Sequence, residues 1–457
     1  MNRAAFCLLL LFPVGTYTSA EPVPEPHTRH DFAAIGAKGT PLNYRRRGKP
    51  GAKPPLKDGR LQLLFGRAEH KTSAAFRRTA KGARRTIDAS FTLSMKGQNE
   101  GVCFALLHTG RFDVKGAAWD PQPPRKTAPE LLATPDWAEP NVWDSFAVGF
   151  DVRNPKDEDW FNENGNFYGR PEREISLHFA GRELFNRLCP VELNDGTDKH
   201  IGIGVAFVTG GAEVTVTVDE TAVYERHFVP HLLPYEARVA FGAHGTGEAF
   251  LDDVEVKFGV EAGHSPPPLV VPALRKAWVK QGAALHTETV DLLPATVPAE
   301  RIVLTVTYHG PMARDYWDRN AAVYVWDGEE RFELARLITP FMLFAREYRY
   351  DIDVTDFSPL LYGQRKLGVM VGSNVARGFL IDATLSYYRK PAGAPSRPAV
   401  LAVRNLWNGH ARFNQPQKMA EFLAAREIEI PPGATSAAVR FTTTGHGVME
   451  FTKIDRR

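Results

Sequence analysis

Asp318 lies between Trp317 and Arg319 in the stretch Asp315-Tyr316-Trp317-Asp318-Arg319, and the strand-like run Ala322-Val323-Tyr324-Val325 follows. A guanidinium beside a carboxylate holds it ionised and ready to accept a proton. That is what a general base for activating water requires. Taken alone, the same residues also describe a solvated carboxylate at a turn. A second polar group lies upstream: Asp151, Asn154, Asp157, Glu158, Asp159, Asn162 and Asn164 fall in one loop, with Trp160 and Tyr168 nearby. Calcium takes several hard oxygen ligands, so Asp151, Asn154 and Asp157 are candidate metal ligands. The aromatics suit contact with a sugar, and an ordinary polar loop has the same composition. Three cysteines are present; Cys103 and Cys189 remain once a leader containing Cys7 is set aside. Either they form a disulfide or they are two separately buried thiols, because sequence does not supply the distance a bridge needs. No His-x-x-x-His pattern points to zinc.

The elements that must position these residues read as β-strands. In Phe146-Ala147-Val148-Gly149-Phe150, the large apolar residues share one face. Ile175, Leu177 and Phe179 do the same, as do Phe379, Ile381, Ala383 and Leu385. Ile87 to Met95, Val214 to Val218, Val239 to Phe241, Val254 to Val256, Ile302 to Tyr308 and Ala438 to Phe441 follow the pattern. Period-two alternation means sheets with one buried and one wet face. Many short strands with Gly-rich turns argue for an all-β protein of two consecutive β-sandwich (jelly-roll) domains. Gln417 to Arg426 is the one helical candidate.

At 457 residues the chain is too long for one ordinary core. Residues 1–20 read as a secretory signal, with Arg3, an apolar run from Phe6 to Val14, and cleavage near Ala20. This implies a secreted or periplasmic protein. No later run reaches the roughly 18 apolar residues of a membrane span. Residues 21–57 read as a basic Pro/Gly-rich leader outside the core, and 259–272, with Ser265-Pro266-Pro267-Pro268, as a linker. The two domains are then 58–258 and 273–457. The net charge of +3, with Arg45-Arg46-Arg47 among Gly and Pro, describes a solvated linker, so no nucleic-acid partner is expected. A monomer is expected.

Trp317-Asp318-Arg319, Leu337-Ile338-Thr339-Pro340, Asp353-Val354-Thr355-Asp356-Phe357, Thr444-Gly445-His446-Gly447 and Glu450-Phe451, in this order, resemble the N-terminal domain of the peptide-N-glycosidase F family. The resemblance covers about residues 298–452. It implies hydrolysis of the amide linking an N-glycan to asparagine. Such hydrolysis needs an activated water, a stabilised oxyanion and a proton for the leaving amine. Asp318 then corresponds to the main catalytic aspartate, assisted by Arg319, and Glu450 to a second carboxylate. Trp317 frames the site against an N-acetylglucosamine ring, with His446 as a substrate-binding neighbour. No cofactor is required.

Three departures stand out. Two residues separate Gly447 from Glu450 where the family carries a longer insert. A third family carboxylate falls on Gly372, and Asp382 is the nearest acidic residue downstream. The family also continues into a second sandwich, and the expectation for a sequence ending at Arg457 is an incomplete cleft.

The front half is similar to the concanavalin A-like, or L-type lectin, jelly roll. The strand from Ser145 to Asp151 matches one that carries a metal-binding aspartate, although Gly149 stands where legume lectins have a glutamate. Ala240-Phe241-Gly242-Ala243 and Leu251-Asp252-Asp253-Val254 match the closing strands. The leading reading is therefore a secreted amidase acting on N-glycoproteins, with a lectin-like domain that binds glycans. The alternatives are a non-catalytic glycan- or glycoprotein-binding protein and a glycoside hydrolase or lyase on the lectin-like sheet, for which Glu174 and Glu183 offer no recognisable pair.

Overall fold

The computed structural model describes residues 7–12, 27–30, 42–46, 49–50, 56–66, 70–115, 140–152, 173–263, 266–309, 319–339, 347–372, 378–390, 397–407 and 416–442. The chain divides into two units, residues 21–264 and residues 1–20 with 265–457. The strands of the first half are β1 (Cys7–Phe12), β2 (His27–His30), β3 (Leu42–Arg46), β4 (Lys49–Pro50), β5 (Leu56–Lys57), β6 (Arg60–Phe65), β7 (His70–Phe76), β8 (Thr86–Lys96), β9 (Asn99–His108), β10 (Phe146–Asp151), β11 (Glu174–Phe179), β12 (Arg182–Leu188), β13 (Asp195–Val208), β14 (Gly211–Val218), β15 (Thr221–Pro230), β16 (Ala237–Gly245) and β17 (Glu248–Phe258). A single helical turn, α1 (Thr109–Phe112), follows β9.

The first unit is a sandwich of two antiparallel sheets. One has the order β12-β11-β10-β9-β16-β7-β3-β4, the other β15-β14-β13-β8-β17-β6-β5, with β2 also on β17. Alternation decides which side chains lie between them. Phe91 of β8, Val102, Phe104 and Leu106 of β9, Phe146, Val148 and Phe150 of β10, and Ile201, Ile203 and Val205 of β13 share one core. Phe91 stacks on Phe104 at 6.1 Å and meets Phe241 edge-on at 5.0 Å. Buried Tyr235 ties two strands together: its hydroxyl donates to the Leu106 carbonyl at 2.6 Å and accepts the Phe146 N–H at 2.9 Å. Removing one member of a buried hydrogen-bonded set costs about 1–3 kcal/mol. Tyr235→Phe is therefore expected to lower unfolding free energy by about that amount in urea melts. An unchanged midpoint would contradict this role.

One expectation changes here. The segment expected as a leader outside the core supplies β2, β3, β4 and β5, with β3 on β7 and β2 on β17. An open sheet edge accepts any extended backbone through its N–H and C=O groups, so this pairing needs no side-chain alternation. Of the two alternatives for Cys103 and Cys189, the structure has the separately buried thiols. Odd residues of β9 point away from the sandwich core. Cys103 accordingly packs with Ala105, Leu107, Phe112 and Ala147 on the outer face, while Cys189 lies in the central core. Cys7–Phe12 is extended, lying between two strands of the second unit.

Those of the second unit are β18 (Leu269–Val279), β19 (Leu285–Asp291), β20 (Arg301–His309), β21 (Asn320–Asp327), β22 (Glu330–Ile338), β23 (Glu347–Asp353), β24 (Gln364–Val371), β25 (Phe379–Tyr388), β26 (Ala402–Asn405) and β27 (Ser436–Phe441). Sheets β18-β25-β20-β23 and β19-β24-β21-β22 enclose a second core, and β26-β1-β27 forms a smaller sheet. The end of the expected linker is part of β18, which includes Pro272. Proline donates no ladder hydrogen bond, and it is accommodated because β18 is an edge strand whose register shifts between Pro272 and Leu274. The helical candidate is realised as α2 (Pro416–Phe422), which buries no residue.

Candidate active site

The strand ends of the second unit define where its chemistry lies. β20 finishes at His309 and β21 begins at Asn320, so the segment 310–318 connects the two sheets at one end of this sandwich. β22 and β24 also finish at this end, and β25 begins there. Trp317 and Asp318 belong to the connection and lie outside the described residues, as do His446 and Glu450.

The residue next to Asp318 is held at two points. The Arg319 N–H donates to the Thr339 hydroxyl at 2.7 Å, and the Arg319 carbonyl accepts the Thr339 N–H at 2.9 Å. Thr339 is buried and follows β22 directly. One residue further on, the Asn320 carbonyl accepts the Gly372 N–H at 3.0 Å. The backbone emerging from the Asp318 segment is thus anchored to the ends of β22 and β24. Sequence placed Gly372 only as a missing carboxylate, and register puts it beside Asn320. A Cβ at Gly372 would find its nearest neighbour, the Asn320 carbonyl oxygen, at 3.7 Å, which is ordinary contact.

A pair that sequence reasoning missed stands at the same end. His309 Nε2 lies 2.6 Å from Asp382 Oδ2, and Asp382 Oδ1 accepts the Lys276 backbone N–H at 2.6 Å. Asp382 faces Thr307 in the register, so His309 reaches it diagonally across the ladder. Tyr308 points into the core, which turns its neighbour His309 to the outer face. The signal was available in strand parity, but the pairing of β20 with β25 was not. Near β25, Gly378 has φ +60°, and an added Cβ would lie 1.9 Å from the Val279 carbonyl oxygen, so only glycine fits.

In the first unit, Asp151 closes β10 and lies opposite Glu174 of β11 and Gly101 of β9. The outer faces of these strands therefore bring together two carboxylates that the sequence did not pair. Asn154 and Asp157 lie outside the described residues, and among the described residues no three His, Cys, Asp or Glu groups are placed to hold a metal ion. Two rows along, buried His178 is bracketed by Asn141 Oδ1 at 3.0 Å from Nδ1 and Ser176 Oγ at 2.7 Å from Nε2. An amide oxygen only accepts, so Nδ1 carries the proton and the Ser176 hydroxyl donates to Nε2. Burial lowers the pKa of this imidazole to about 3.

No family model matches the sequence. The chain is 31% identical over 142 residues to the peptide-N(4)-(N-acetyl-beta-D-glucosaminyl)asparagine amidase F of Elizabethkingia miricola, which is 29% of this chain and 38% of that protein. The chain thus spans well under half the length of this curated relative. Among solved structures, PNGase F, a glycosylasparaginase from Flavobacterium meningosepticum, aligns with 28% of this chain and 44% of its own at 24% identity and TM-score 0.25. Lectin II from Ulex europaeus aligns with 51% of this chain and 98% of its own at 10% identity and TM-score 0.35. The sequence similarity joins part of this chain to a part of that amidase. No helix among the described residues is long and apolar enough to cross a membrane.

Proposed function

We propose that this protein is an exported peptide-N-glycosidase-like amidase acting on the N-glycan–asparagine linkage, with its first unit as a glycan-binding module. The observation that carries the reading is the 31% identity over 142 residues with an amidase of that specificity. The anchoring of Arg319 and Asn320 supports it, because a catalytic group on a loop works only when flanking structure restricts its position.

In this reading Asp318 takes a proton from water, which adds to the asparagine side-chain carbonyl. The carbon–nitrogen bond then breaks. The glycan departs on its amine nitrogen after that nitrogen gains a proton, and aspartate remains in the peptide. Arg319 keeps Asp318 ionised. Glu450 is assigned the second proton transfer, Trp317 and His446 the sugar. The first unit raises the local substrate concentration without altering the chemistry. No metal enters any step. Asp151, Asn154 and Asp157 are retained as candidate calcium ligands of the glycan-binding unit.

The second reading, a glycan-binding protein without turnover, rests on Gly372, where the resemblance expects a carboxylate. The surroundings allow this to be tested by restoration. A Cβ there meets nothing closer than 3.7 Å and the backbone is not in the left-handed region, so Gly372→Glu is expected to fold normally. It should raise glycopeptide turnover at least about a hundredfold, the low end for a positioned acid–base group. A folded Gly372→Glu protein with unchanged turnover would remove that residue from the mechanism. Oligosaccharide shortening with the asparagine link intact would instead favour hydrolysis on the lectin-like sheet, where Asp151 faces Glu174.

A further inference from the structure

A 3-10 turn, Thr355–Leu360, connects β23 to β24 at the end of the second sandwich remote from the Asp318 segment. Beside it lies a cavity of about 510 Å³. We propose that this cavity is a second binding site, which takes a sugar ring through two adjacent hydroxyl groups.

Asp356 and Arg397 are the lining pair whose charged groups face each other. Arg397 Nη2 stands 4.0 Å from Asp356 Oδ1, and Nη1 stands 3.8 Å from Asp353 Oδ2. Both separations exceed hydrogen-bond length. Asp353 is already engaged, since it accepts Arg301 Nη1 at 2.6 Å and the Thr355 N–H at 2.9 Å. Asp356 and Arg397 therefore face each other across a gap that neither closes. Their side chains are 25% and 35% exposed, so a ligand can reach both. Burial raises the pKa of the Asp356 carboxyl, opposed by the nearby Arg440 and Arg397.

Part of the wall is apolar and rigid, and two further charged residues line it already engaged: Glu300 accepts the Arg397 backbone N–H at 2.6 Å and Arg365 Nη1 donates to Asp327 at 2.9 Å. Pro298, Pro359, Pro398 and Tyr362 line the cavity. The Tyr362 hydroxyl accepts the Ala299 N–H at 3.0 Å, which holds the ring in place. Three prolines and a fixed aromatic ring present C–H and π surface without conformational entropy to lose. A sugar ring matches both features. Its C–H face packs on the walls, one hydroxyl accepts from Arg397, and its neighbour donates to Asp356. A simple anion would meet the Asp356 carboxylate, and an apolar molecule would leave both charged groups unsatisfied. This site does not depend on the amidase assignment.

The test is amide shift perturbation on the isotope-labelled full chain titrated with methyl glycosides of mannose, galactose and N-acetylglucosamine. Signals from Ser358, Gly363 and Ala399 read this cavity separately from the lectin-like unit. At least one glycoside is expected to shift them saturably. Arg397→Ala should weaken that binding at least tenfold, and Ser358→Trp, which fills the cavity, should abolish it. If Ser358→Trp does not fold, Arg397→Ala carries the comparison. The proposal is overturned if no glycoside shifts these signals, if the shifts survive Arg397→Ala unchanged, or if only acetate or phosphate produces them. Glycopeptide turnover is not read in this experiment, so either assignment can fail alone.

Discussion

Asp318→Asn is expected to abolish release of N-glycan from a glycopeptide, with kcat/KM falling at least about a hundredfold, the lower range for removal of a positioned general base. Asparagine keeps the size and planarity of the side chain but cannot take a proton from water at neutral pH. The fold should not change, since Arg319 and Asn320 are held through their backbones to Thr339 and Gly372. KM should therefore move little while kcat collapses. The measurement is chromatography of released glycan together with the asparagine-to-aspartate mass change in the peptide. Wild-type protein that yields neither product would reject the amidase reading. Wild-type turnover that survives Asp318→Asn would keep the activity and move the base elsewhere.

Acid should destabilise the first unit well before carboxylates are fully protonated. His178 has its pKa lowered to about 3 by burial, and His227 to about 4 by burial and then by the Arg187 charge. Both rings are neutral in the folded state, whereas an unfolded histidine takes up a proton near pH 6.5. The unfolded state thus binds more protons below that pH, and stability falls as pH falls. It is complete above about pH 6.5 and is lost progressively down toward the folded-state values. Each such proton is worth about 1.4 kcal/mol per pH unit, so the loss reaches a few kcal/mol on the order-of-magnitude scale. Glu183, whose pKa burial raises, works in the opposite sense. Asp195, lowered to about 2 by its hydrogen bonds from Thr197 and Lys199, and Glu236, whose burial is outweighed by hydrogen bonds from Gly82, Arg78 and Thr109, add to the loss at lower pH.

Urea melts between pH 7 and about 4.5 should show this decline. His178→Gln, which retains hydrogen-bonding capacity toward Asn141 and Ser176, should flatten it. An unchanged slope in that variant would show that His178 is not the group responsible.

How much was legible in the sequence depends on the range of the interaction. Strands such as β10, β11, β20 and β25 follow from alternation, because side-chain parity is a local property. The edge strand β3 was not legible, since it is held by the backbone of β7, a partner about 30 residues away. The boundary near residue 264 was visible in the prolines, but β18 begins inside that stretch because an edge tolerates Pro272.

The candidate site divides in the same way. The sequence by itself determined the residue types available: Asp318 beside Arg319, a glycine at 372, two cysteines and an all-β alternation. Only the tertiary structure decided which of them meet. It set Gly372 against Asn320, turned His309 toward Asp382, placed Glu174 opposite Asp151, and left Cys103 and Cys189 in separate clusters. The physical reason is register. A shift of one residue between paired strands moves every side chain to the other face, and register is chosen by the packing of two whole sheets rather than by any single segment.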